Sequence, residues 1–64
     1  MLGIDIMHVA RGLIDSHGAT AAEEAARQAG KAEAAGDAEE AQWWRLVERA
    51  VSDVHASERR WVRG

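Results

Sequence analysis

Apolar residues recur along this chain at the three-to-four-residue spacing of a helix, in three stretches parted by glycine. In the first stretch Ile6, Val9, Ala10, Leu13 and His17 share one face, with Met7 and Ile14 beside it. His17-Gly18 closes this stretch, because glycine takes the left-handed backbone that a side chain resists. The spacing predicts a helix over about 4–16, with Asp5 as an alternative cap for a slightly later start. Gly12 lowers the local helix propensity by about 1 kcal/mol relative to alanine and suits a close helix crossing.

The second stretch opens at Thr20. Thr20 and Glu23 have the spacing of a capping box, and Glu24 adds favourable charge near the helix N-terminus. Alanine then dominates, at positions 21, 22, 25, 26, 29, 32, 34 and 35. Alanine is the strongest helix former, so a helix over 21–35 needs little packing to form. Gly36 stops it. Asp37 caps a third helix, predicted over 38–62, with Glu40 placed to reach back to it. So short a connection makes the second and third helices an antiparallel hairpin.

The third helix carries the bulk of the large side chains. Trp43, Val47, Ala50, Val54 and Trp61 recur along one face, with Trp44, Leu46 and Val51 beside them. Arg45, Glu48, Arg49, Asp53 and Glu58 supply the solvated face. Trp43 and Trp44 point about 100° apart. One is therefore expected to face the chain's own core and the other a partner. Counting outward from Gly36 places Glu23 near Arg49, and Glu33 near Glu40. The expected fold is an all-α, three-helix unit, a single domain over residues 1–64.

Composition changes this picture in one respect. Of the 64 residues, 30 are apolar, but 14 of those are alanines. Burial stabilises by only about 25 cal/mol per Å² of apolar surface, and a methyl group offers little area. Chains this short are marginal even with ordinary cores. There is no cysteine to cross-link the fold or to serve as a thiol nucleophile or zinc ligand. Homodimerisation is the expected remedy, burying the alanine-rich helix and one face of the tryptophan helix. The tryptophans are expected first to fill core and grooves; the alternative is a partner-binding anchor, since tryptophan is enriched at binding hot spots, and the candidate protein interface is then Trp43, Trp44, Val47, Val51, Val54 and Trp61.

The residues Leu13-Ile14, His17-Gly18, Ala21, Gly36-Asp37 and Trp44 keep a common register. In this they resemble a family of short, uncharacterised helical proteins of alphaproteobacteria. Those pair a helix ending in Leu-Ile-x-x-His-Gly with a Gly-Asp turn and a downstream tryptophan. The likeness runs from about residue 8 to 55. It implies a compact helical unit and carries over no catalytic residue. Glu24, Ala25 and Ala26 depart from the bulkier apolar residues expected there, which strengthens the case for association. Trp43 and the Arg59-Arg60-Trp61 end also fall outside the pattern.

Charge and chemistry exclude more than they assign. The net charge of −3 is uneven: residues 1–42 carry −5 and residues 43–64 carry +2. A nucleic-acid binder needs a broad basic face, which is missing. Ala26, Ala29 and Gly30 match the small residue and glycine of a helix-turn-helix. Gly36-Asp37, however, comes too soon for a recognition helix. The basic end Arg59-Arg60-Trp61-Val62-Arg63 offers a membrane-surface alternative, weighed against simple complementation of the helix C-terminus. No two of His8, His17 and His55 stand three or four apart, so no helix face presents a paired metal site. Ser16 lacks a nucleophile elbow. The expectation is a non-enzymatic, cytoplasmic bacterial protein without metal or cofactor. Its function is regulatory or adaptor binding to another protein. A nucleic-acid-binding regulator is the competing class.

Overall fold

A computed structural model describes residues 5–63, with side-chain surroundings for residues 5–57. Among these residues every regular element is helical: α1 (Ile6–His17), a short 3-10 turn (Gly18–Thr20), α2 (Ala21–Ala34) and α3 (Ala38–Arg63). The fold is all-α, and α2 and α3 form the expected antiparallel hairpin.

Local chemistry sets each boundary. Asp5 has an extended backbone, and its Oδ1 accepts the Met7 N–H at 3.0 Å. Helix α1 therefore starts at Ile6, with Asp5 as its cap; residue 4 lies outside the described residues. At the other end Gly18 takes φ 58°, ψ −124°, and its N–H donates to the Ile14 carbonyl. This positive φ is not left-handed helical, but it is equally a conformation in which glycine is at home. The chain turns there and passes directly into the 3-10 turn.

That turn displaces the capping box expected at Thr20. Thr20 adopts φ −98°, ψ 11° and caps nothing with its side chain. Its hydroxyl donates backward to the His17 carbonyl at 3.0 Å. The Ala21 N–H donates to the Gly18 carbonyl, so the 3-10 turn occupies one of the donors that a side-chain cap would otherwise serve.

The hairpin turn is built more tightly. The Gly36 N–H donates to the Glu33 carbonyl at 3.0 Å, and the Asp37 N–H to the Ala32 carbonyl at 2.9 Å. With Gly36 at φ 79°, this is a Schellman motif. Asp37 also caps the next helix: its Oδ1 accepts the Glu40 N–H at 3.1 Å, and its carbonyl accepts the Ala41 N–H at 3.0 Å. Only half of the expected capping box exists here. The Asp37 N–H is already bonded to Ala32, so Glu40 does not reach back to it.

Helix α2 lies along α3, and α1 packs mainly on α3 and less on α2. At 1.5 Å per residue α3 is about 39 Å long and α2 about 21 Å, so α2 alone spans roughly half of α3. The buried residues are Ala10, Ala21, Ala25, Ala29, Ala32, Ala41, Val47, Ala50 and Val51. The alanines at 21, 25, 29 and 32 occupy one face of α2, and their small side chains let α3 approach closely. Val47 and Val51 are the largest side chains fully buried. Ile6, Val9, Leu13, Ile14, Ala22, Trp43 and Trp44 pack around the central cluster while only partly buried. Gly12 does not sit at a crossing: a Cβ added there meets nothing within 4 Å.

Candidate functional site

The six side chains proposed as an interface divide into three groups. Val47 and Val51 are wholly buried within the chain's own core, so they are not available as surface. This corrects their assignment, and the reason is geometric: they lie at the centre of the α3 face that α1 and α2 cover. Trp43, Trp44 and Val54 are half-buried. Trp61 lies beyond the residues whose side chains are described.

The two tryptophans do not separate into one core and one outward residue. They straddle Val47, about 100° apart on α3, and both pack against the central cluster. Their rings meet edge to face, with centroids 5.0 Å apart and planes at 81°. This is a favoured aromatic geometry. Trp44 Nε1 donates to Glu40 Oε2 at 3.3 Å, which is where the Glu40 carboxylate is engaged. Each indole thus has an apolar part against the core and an exposed part toward solvent.

Sequence reasoning did not single out the two large apolar side chains that are exposed among the described residues. Leu46 is 47% exposed and Met7 40%. The periodicity sets Leu46 beside the apolar face, and it falls about 100° from Val47 on the helix. That offset is the signal that places it on the rim. Trp43, Leu46, Ala50 and Val54 follow one another along α3 at intervals of three and four, making an apolar strip at the edge of the core-facing side.

Polar groups surround this surface and stay out of the interior: no polar or charged residue is buried among the described residues. Arg45 bridges the hairpin, with Nη2 at 3.3 Å from Glu33 Oε2 and Nη1 at 3.4 Å from Glu48 Oε1. These carboxylates, Glu33 foremost, raise the Arg45 pKa above the ordinary guanidinium value. The expected Glu23–Arg49 pair does not form. Counting residues symmetrically from the turn ignores which side of each helix a residue occupies: Glu33, expected near Glu40, meets Arg45 instead. On α2, Gln28 Nε2 donates to Glu24 Oε2 at 2.8 Å, and Arg27 stands 3.4 Å from Oε1. The Gln28 hydrogen bond is the main reason the Glu24 carboxyl lies below its usual pKa. Partial burial opposes this, and the Arg27 charge assists it.

His8 and His17 are exposed and His55 is half-buried. Among the described residues no three histidine, cysteine or acidic side chains gather where a metal could be held. No helix among them is long and apolar enough to cross a membrane. No protein-family model, curated protein or solved structure matches the chain.

Proposed function

We propose that this chain is a non-enzymatic interaction module that works as a self-associated helical unit and presents its composite surface to another protein. The observation that carries this reading is the inversion of side-chain size between inside and outside. Seven of the nine buried residues are alanines, whereas Leu46 and Met7 stand exposed and both described tryptophans are only half-covered. A second copy covering Leu46 and Trp43 adds the apolar burial that the alanine interior lacks. Kinship with short helical proteins of alphaproteobacteria belongs to the same proposal and adds no functional residue.

The side-by-side hairpin weighs for this reading over a helix-turn-helix regulator, whose two helices cross at roughly 90–120°. The acidic balance of the chain weighs the same way.

Analytical ultracentrifugation over a dilution series tests the proposal. Wild type is expected to pass from dimer to monomer on dilution, with its melting temperature falling in parallel. Leu46→Glu is expected to remain helical and become monomeric at concentrations where wild type is dimeric. A wild-type chain that is monomeric throughout, with a melting temperature independent of concentration, overturns it.

A further inference from the structure

The buried interior falls into two parts, and α1 contributes to only one of them. Ala10, Ala21, Ala25, Val47, Ala50 and Val51 form one cluster, with Ile6, Val9, Leu13 and Ile14 of α1 packed on it. Ala29, Ala32 and Ala41 are buried outside that cluster, nearer the Gly36 turn. This second seam draws its buried residues from α2 and α3 alone. The polar fastenings lie on the same side of the division. Arg45 of α3 pairs with Glu33 of α2, and backbone hydrogen bonds from Gly36 and Asp37 close the turn. Among the described residues no side-chain hydrogen bond or ion pair joins α1 to α2 or α3.

Side-chain packing therefore holds α1 down without polar help, and α1 is thinly covered. Ala10 is its one buried residue, its larger aliphatic side chains are only partly buried, and Met7 is exposed. The helix has 12 residues and includes Gly12. A helix of that length does not hold by itself in water, and glycine weakens it further. Helix α1 therefore melts as it leaves the hairpin, and the chain entropy it regains favours leaving. Gly18 links it to the 3-10 turn, and a glycine there is free to adopt the other backbone conformations that opening requires.

We propose that α1 is a strap that undocks and melts as one unit, pivoting at Gly18, while the turn half of the α2–α3 hairpin stays folded. Opening uncovers Val47 and Val51, the largest side chains sealed in the interior. The inference stands apart from the self-association proposed above, since it concerns contacts within one chain.

Native-state hydrogen exchange in a urea series tests this, followed at single backbone amides by nuclear magnetic resonance. The amides of Ala10, Leu13 and Ile14 report on α1, and those of Ala29 and Ala32 on the hairpin. The α1 amides are expected to exchange together, about tenfold or more faster than the hairpin pair. Their urea dependence is expected to be smaller, because less surface is exposed when α1 alone opens. Asp37→Ala supplies a second arm. The Asp37 cap is intact whether α1 is closed or open, and it is lost only when the hairpin unfolds. The substitution is therefore expected to speed exchange at Ala29 and Ala32 about fivefold and to leave the α1 amides unmoved. Equal acceleration of both groups means that α1 opens only with the whole chain, and overturns the inference. One common rate and urea slope in the wild type overturns it too, and that series decides alone if the variant does not fold. Rates that fall steadily from Ala10 to Ile14 without responding to urea mean fraying from the helix start, and also overturn it.

Discussion

Gly12 and Gly18 belong to α1 and its cap, and they answer to opposite demands. Gly12 is an exposed interior residue of the helix, where an added Cβ meets nothing within 4 Å. Gly12→Ala is expected to stabilise the fold by about 0.5–1 kcal/mol through helix propensity and reduced freedom of the unfolded chain. Gly18 also has open space around it, but its φ of 58° strains any side chain. Gly18→Ala is expected to cost about 1–3 kcal/mol. Urea unfolding of both variants checks the pair, and a shift of the same sign in both refutes the distinction. The end of α1 was legible in His17-Gly18, because a terminal glycine has few other reasons to stand there. The purpose of Gly12 was not: the sequence reports the missing side chain but not whether a neighbour fills the space. Glu24 makes a prediction at the same scale. Its folded carboxyl is depressed below the ordinary value of 4.5, chiefly by Gln28. Its stabilising contribution is therefore present above that value and lost as pH falls through the lower folded value. The stability difference between wild type and Glu24→Gln should accordingly shrink in acid. A difference that stays constant from neutral pH into acid excludes this linkage.

At the scale of the element, two capping signals of similar appearance have different fates. Asp37 caps α3 through its carboxylate, whereas Thr20 turns its hydroxyl back to His17. Asp37→Ala is expected to cost about 1 kcal/mol. Thr20→Ala, at an exposed position with no cap to lose, is expected to stay within about 0.5 kcal/mol. Thermal melts followed by circular dichroism separate them, and equal losses would show that Thr20 caps after all. The helices themselves were legible, since period and alanine content left little room for another assignment. The behaviour of Thr20 was not, because a capping residue needs extended backbone, and that depends on how the chain leaves Gly18. The spacing from Thr20 to Glu23 does not carry that information. The same limit governs Glu40: its spacing suits a capping box, but the donor it would serve is already bonded to Ala32.

For the whole molecule, periodicity identified which residues share a face of α3 but not how much of that face the chain covers itself. Val47 and Val51 fall at the centre of the face and are sealed by the chain's own helices. Leu46, one step around from Val47, is left outside. A helical wheel ranks these residues by angle, and the width covered depends on the tertiary placement of α1 and α2. The arrest of α2 depends on little more than Gly36 and its φ of 79°. The alanines before it and the residues after Asp37 all favour continuation, and no proline forbids it. Replacing both turn residues, as in Gly36→Ala with Asp37→Ala, invites α2 and α3 to fuse into a single rod of about 65 Å. The alanine stripe of one molecule then finds its α3 only in another molecule, and the pair becomes an exchanged, interlocked dimer. Small-angle scattering is expected to register the greater maximum dimension, and an unchanged particle length would mean that side-chain packing alone can bend the chain back.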